Sequence, residues 1–341
     1  MFCLDVELLV LEYSLQDCPL RPIALSRLLH CSVPSLEVAS RYCAYLQSKQ
    51  DPITRFHAAC LSGDLCIVQW LTQEFKLTAV DVRVDGNAAF RLAAFNGHLH
   101  VLQWMTQEFK LTGADARKMG NDVFRYAAEN GQLKLLQWLT QKFKLTGEDA
   151  RTYNNYAFRL AARYGHLDVL QWLKEEFKLT GVEVRGAGNE AFRYAAEKGH
   201  LKVLQWMTQE FQLTREDARA KDNYAFRLAA KYGQLKVLQW LTQEFQLTRA
   251  DALTYDNWAF RYAAENGHLH LLQWLTQQFN FTTDDARAQN NDALYSAAEK
   301  GHRQVAKWLR DEFNLTPVGD GDWTDVAGAY AVNSFLKLLQ W

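Results

Sequence analysis

Apolar residues recur at helical spacing through most of the chain, in short stretches that are interrupted at fixed points. Phe90, Ala93, Ala94 and Gly97 stand at i, i+3, i+4 and i+7, one face of a helix. Gly97-His98 breaks that pattern, and Val101, Trp104, Met105 and Phe109 then mark the inner side of a second helix. Asn87 precedes the first helix, and Asn121, Asn155, Asn189, Asn223, Asn257 and Asn291 hold the same slot. An Asn there predicts an N-cap, whose side-chain oxygen accepts a hydrogen bond from an unpaired amide of the first turn. Between one helix pair and the next, Thr112-x-x-Asp115, Thr146-x-x-Asp149, Thr180-x-x-Glu183, Thr214-x-x-Asp217, Thr248-x-x-Asp251 and Thr282-x-x-Asp285 match the capping box. The connector is therefore expected to be a short helical turn.

The pattern repeats every 34 residues without insertion or deletion. Gly63, Gly97, Gly131, Gly165, Gly199, Gly233, Gly267 and Gly301 keep this interval, and so do the tryptophans from Trp70 to Trp308. A fixed period of this length means stacked copies of one supersecondary unit, and one such unit buries too little surface to stand alone. The stretch from Ala331 to Trp341 resumes the pattern at a shift of 33, as the start of a ninth unit. The expected fold class is all-α: an α-solenoid of helix-pair repeats, with eight units over 51–316 and a partial ninth over 317–341. Residues 1–50 differ from the array. Two helical stretches, Leu4 to Tyr13 and Ser35 to Leu46, make them either a cap over the first repeat or a degenerate docking module.

Charge and cysteine content narrow the function. Lys plus Arg total 38 against 39 Asp plus Glu, a formal charge of -1, so no net single-sign field draws the chain to nucleic acid or an anionic membrane. No run of 18 apolar residues occurs, and Asp5, Glu7 and Glu12 interrupt the first segment, which lacks the basic start of a signal peptide. All six cysteines precede residue 67. That placement argues against a disulfide framework, and His57, Cys60 and Cys66 lack the paired spacing of a zinc site. Free thiols fit a reducing compartment, the cytoplasm or the nucleus. Neither a cofactor nor a metal is expected. The sequence holds no phosphate-binding loop, nucleophile elbow or zinc-protease motif, and nearly every polar candidate is copied from unit to unit. A catalytic constellation needs unique residues that converge, so the chain reads as a non-enzyme.

At this level the units resemble the ankyrin repeat, T-P-L-H-x-A-A-x-x-G-H followed by a V-V-x-x-L-L helix. The corresponding residues are Tyr-Ala-Phe-Arg-Leu-Ala-Ala-Arg-Tyr-Gly-His at 156–166 and Val-Leu-Gln-Trp-Leu at 169–173, and the match extends over residues 51–316. Three departures stand out: Thr-Pro is replaced, the His slot holds Arg (Arg91 through Arg261), and the unit is one residue longer. These replace the family's β-hairpin finger with the short helix while keeping the helix pair. A tetratricopeptide array has the same period but requires longer helices and a W-x-x-L-G pattern. Resemblance to ankyrin repeats implies a protein partner, held by a monomeric scaffold on the concave face. Residues 1–50 also loosely resemble an F-box, which implies the alternative of a ubiquitin-ligase substrate receptor, although the usual Leu-Pro opening is Leu4-Asp5 here.

The repeated polar residues first read as structural. His98, His166, His200, His268 and His302 follow the inter-helix Gly, a structural slot of the family that Gln132 and Gln234 also fill. The Arg ladders, one from Arg91 to Arg261 and one at Arg83, Arg117, Arg151, Arg185, Arg219 and Arg287, are expected to bind carbonyls and carboxylates of the next unit. The Trp ladder is expected to stack in the core. Partner-binding candidates are instead the positions that vary inside a copied unit, just before the inter-helix Gly and around the Asn: Tyr153, Tyr156, Arg163, Tyr164, Lys221, Tyr224, Lys231, Tyr232, Tyr255 and Trp258. Aromatics beside cations are common interface anchors. The competing reading is that these rings fill the space left by the missing Thr-Pro.

Overall fold

Eight helix pairs run through the described residues, from Pro52–Ser62 with Leu65–Glu74 to Ala288–Glu299 with Arg303–Phe313, joined by four-residue helices such as Arg215–Ala218. This computed structural model describes residues 51–315. They fall into two compact units, one ending at Thr152 and the other beginning at Tyr153. Each unit is made of the same repeat and carries no strand among the described residues. The all-α array with helical connectors is as expected, and the expected cap at 1–50 and partial repeat at 317–341 lie outside the described residues.

The connector helix forms because its ends are satisfied locally. The Thr214 amide and hydroxyl both donate to Asp217 Oδ2, at 2.8 and 3.3 Å, closing the capping box. The chain then turns through three consecutive left-handed residues before the next helix. Lys221, Asp222 and Asn223 have φ of 55°, 57° and 57°, and equivalent triplets stand at 153–155, 187–189, 255–257 and 289–291. Side chains other than Gly strain in this region, Asn least among them. The strain is offset by Arg227, which donates from Nε to Asp222 O (2.9 Å) and from Nη2 to Lys221 O (2.9 Å).

This geometry corrects two expectations. Asn223 is not an N-cap that accepts from its own helix: it has a left-handed backbone and a buried side chain, whose Nδ2 donates to Asp251 O of the next repeat at 3.3 Å. Asn189 does the same to Asp217 O at 2.8 Å and Asn257 to Asp285 O at 2.6 Å. The two Arg ladders also divide their labour. Arg185 and Arg219 reach forward to Asp217 (2.8 Å) and Asp251 (2.7 Å) in the following repeat, as expected. The ladder that includes Arg193 and Arg227 bonds the two carbonyls that the left-handed triplet of its own repeat presents, and its members Arg91 and Arg261 also reach Asp122 (3.2 Å) and Asp292 (2.7 Å) in the following repeat, as expected. Where Leu253 replaces the forward-reaching Arg, Arg249, four residues earlier and one helical turn away, reaches Asp285 at 2.7 Å.

Packing completes the repeat. The Ala pairs, Ala195-Ala196 and Ala229-Ala230 among them, are fully buried. Their small side chains let neighbouring first helices approach closely. Below them, Phe192 meets Phe245 and Phe226 meets Phe279 edge to face, with centroids 6.0 Å apart. The tryptophans sit at the edge of this core: Trp206 lies against Phe211 at 5.5 Å but is only half-buried. The inter-helix Gly is fixed twice over. Gly267 has φ +80°, and a Cβ there would lie 2.6 Å from His302 Nδ1 of the next repeat. His200 and His268 each hydrogen-bond a carbonyl of the preceding repeat, Arg163 O and Lys231 O, at 2.9 Å. Gln234 donates to Glu197 O at 3.2 Å in the same way, which explains why Gln can replace His.

Candidate functional site

The ten candidate residues all lie in the second unit, Tyr153 onward, on its first helices and left-handed loops. The structure sorts them into two layers. Tyr153 (61% exposed) and Tyr255 (58%) project from loops, and Tyr164 and Tyr232 (45% each) project from the ends of first helices. Lys221 is exposed in its loop, while Arg163 and Lys231 are half-buried beside the tyrosines.

Tyr156, Tyr224 and Trp258 form the floor beneath. All three follow the left-handed Asn directly, in a slot that faces the loop-holding Arg of a repeat. Arg159 lies 4.8 Å over the Tyr156 ring, and Arg193 and Arg227 lie 5.2 and 4.9 Å over Tyr224. Arg227 also covers Trp258 at 5.3 Å and Tyr255 at 4.4 Å. Elsewhere the same slot holds a carboxylate: Glu190 pairs with Arg159, and Asp292 pairs with Arg261 at 2.7 Å. Carboxylates and ring faces are interchangeable there because each attracts a guanidinium. Burial pushes the guanidinium pKa of Arg159, Arg193 and Arg227 down from the ordinary value.

Sequence reasoning missed three participants, Tyr194, Lys198 and Tyr262. Arg163 lies over Tyr194 at 4.9 Å, and Lys231 over Tyr262 at 5.2 Å. Lys198 and Lys231 both lie over Tyr232, at 5.5 and 5.8 Å, and Tyr262 stacks on Trp258 with centroids 4.0 Å apart. The signal was present as an alternation, Leu160, Tyr194, Leu228, Tyr262 at successive 34-residue steps, with Arg163 and Lys231 each 31 residues before a Tyr. At this slot and its cation partner the period is two repeats.

Burial lowers the His200 pKa, so this His is neutral near pH 7 and serves its carbonyl bond. Cys60 is fully buried, which raises its thiol pKa beyond reach of any reactive role. No cluster of His, Cys, Asp or Glu among the described residues suits a metal ion, and no described helix is long and apolar enough to cross a membrane.

Helix pairs stacked at a fixed period, with inward bonds spent on their neighbours and varied residues left outside, define a repeat-type interaction module. The sequence matches the family described as ankyrin repeats (3 copies) over residues 56–154, 124–222 and 226–317. The chain belongs to the ankyrin-repeat family and is a protein–protein interaction module. No curated protein matches it as a relative.

Proposed function

We propose that this chain is a non-catalytic scaffold whose first helices and left-handed loops hold a protein partner, on the side that ankyrin resemblance makes concave. The carrying observation is the pair of exposed tyrosine rows, Tyr164 with Tyr232 and Tyr153 with Tyr255, set on a floor whose every guanidinium is already bonded. Rigid aromatics above a fixed floor lose little conformational entropy on binding. Arg163, Lys221 and Lys231 supply charge at the rim, and Tyr156, Tyr224 and Trp258 hold the surface in shape. The chain acts as a monomer in the cytoplasm or nucleus, with no cofactor, nucleic acid or membrane involved.

Alanine substitutions separate the layers. Tyr164→Ala, Tyr232→Ala and Tyr255→Ala should each weaken partner affinity by about 2 kcal/mol, with little change in melting temperature. Trp258→Ala removes the stack on Tyr262 and should lower the melting temperature first. Titration calorimetry and thermal melts of the four variants check this, and undiminished affinity in all three Tyr variants would remove the basis for the site.

A further inference from the structure

The chain's near-neutral total hides a concentration of charge. Counting from the left-handed loop to the inter-helix Gly, residues 153–164 carry Arg159 and Arg163 with no acid. Residues 187–198 balance Arg193 and Lys198 with Glu190 and Glu197, and 221–232 carry Lys221, Arg227 and Lys231 against Asp222. Three consecutive first-helix segments thus sum to +4, whereas the two that follow, 255–266 and 289–300, are each -1. The acids in this stretch also turn inward or are engaged. Glu190 accepts from the Tyr194 hydroxyl at 2.6 Å, and the Glu197 side chain is 10% exposed between Lys198 (3.1 Å) and Arg163 (3.9 Å). Asp222 accepts from the Tyr255 hydroxyl at 3.0 Å. Of the cations, Lys221 is exposed and the Lys198 side chain is 38% exposed, Lys231 is half-buried beside them, and Arg159, Arg193 and Arg227 lie in the floor beneath.

We propose that the occupant of this face is an acidic polypeptide segment, seated across residues 153–232 and read in steps of two repeats. This deepens the binding-face reading above and rests on it. The pairs Arg163-Tyr164 and Lys231-Tyr232 recur at 68 residues with Lys198 between them. At about 10 Å per packed helix the pairs stand roughly 20 Å apart, about six residues of extended chain. Carboxylates fit both groups on offer, since a lysine ammonium and a tyrosine hydroxyl each donate to them. A single-stranded nucleic acid carries the same sign of charge but binds by stacking bases on ring faces. Here the faces of Tyr224 and Tyr232 are already covered by Arg or Lys, which leaves their edges and hydroxyls to the partner. The polypeptide is therefore favoured.

Fluorescence anisotropy of the full chain with three labelled probes tests this: a 20-residue peptide of Glu and Leu, its Lys-for-Glu counterpart, and a 20-nucleotide oligo-dT. The Glu/Leu peptide should bind, the Lys peptide should not, and affinity should fall as salt rises from 50 to 300 mM. Lys198→Glu/Lys221→Glu/Lys231→Glu should weaken it at least about tenfold, and the milder triple change to Ala about threefold. The control Lys202→Glu/Lys236→Glu/Lys307→Glu makes the same charge change on second helices and should leave affinity within about twofold. Absence of Glu/Leu binding, equal loss in site and control variants, or tighter binding of oligo-dT overturns the proposal. The two levels of the account fail differently. If Tyr164→Ala and Tyr232→Ala weaken a natural partner while the Lys→Glu triple does not, acidity is wrong and the face stands; if neither weakens it, both fall.

Discussion

Arg227 joins three functions in one side chain. It closes the strained loop of its own repeat through two carbonyls, covers Tyr224 from below, and underlies Tyr255 and Trp258 of the following repeat. A lysine keeps the charge but cannot present two fixed parallel donors and a flat face. Arg227→Lys is therefore expected to cost about 1–3 kcal/mol, the range for leaving buried polar groups unpaired, and to lower the melting temperature. A melt identical to that of the parent chain would show that the loop holds itself. Arg at this slot thus serves the loop where it occurs, although the left-handed triplet at 289–291 forms with Tyr295 in the same place.

At the scale of elements, the helix pair and the capped connector were legible because both depend on neighbours in sequence. Thr214 with Asp217 forms its box within one turn, and Gly267 with His302 follows the period. The left-handed triplet was not legible. Asn before an apolar helix face is the standard N-cap pattern, and only the backbone shows that it bonds forward to the next repeat. The layering of the candidate site was hidden for a related reason, since Tyr156 and Tyr164 look alike in sequence, yet a guanidinium covers the half-buried Tyr156 ring while Tyr164 is exposed. Because Gln289 has φ 53°, Gln289→Gly should raise stability by up to about 1 kcal/mol, although Gly inside a true helix costs a similar amount. Chemical denaturation of that variant decides which backbone the residue adopts.

The forward links between repeats also set an acid limit. Burial alone would raise the carboxyl of Asp115, yet bonds from Arg83 and Thr112 bring its pKa down to about 2. Asp149, Asp217 and Asp251 are likewise held below the ordinary carboxylate range, against burial, by Arg117, Arg185 and Arg219. A group whose pKa is depressed on folding stabilises the fold above its unfolded pKa and loses that contribution as pH falls through the folded value. Stability should therefore be level near neutrality and decline from about pH 5 toward pH 2. Asp217→Asn should be less stable at pH 7 and lose less on acidification. A pH-independent difference between the two chains would mean that this carboxylate's charge contributes nothing.

Across the whole molecule, an almost neutral chain repeats one structural unit eight times and varies it where the copied bonds do not reach. Variation in the second unit collects aromatic rings and cations on first helices, whereas second helices repeat Gln-Trp with little change, as at Gln205-Trp206, Gln239-Trp240 and Gln273-Trp274. Those half-buried tryptophans line two shallow grooves between second helices, about 450 Å³ at Trp240 and Trp274 and about 460 Å³ at Trp206 and Trp240, and they are the natural internal control. Hydroxyl-radical footprinting of the chain, free and with its captured partner, reads both faces at once, because Tyr and Trp react when exposed. Protection of Tyr153, Tyr164, Tyr232 and Tyr255 with unchanged Trp206, Trp240 and Trp274 is the predicted result. Protection of the tryptophans with the tyrosines left reactive would place the partner on the opposite helices and contradict the account.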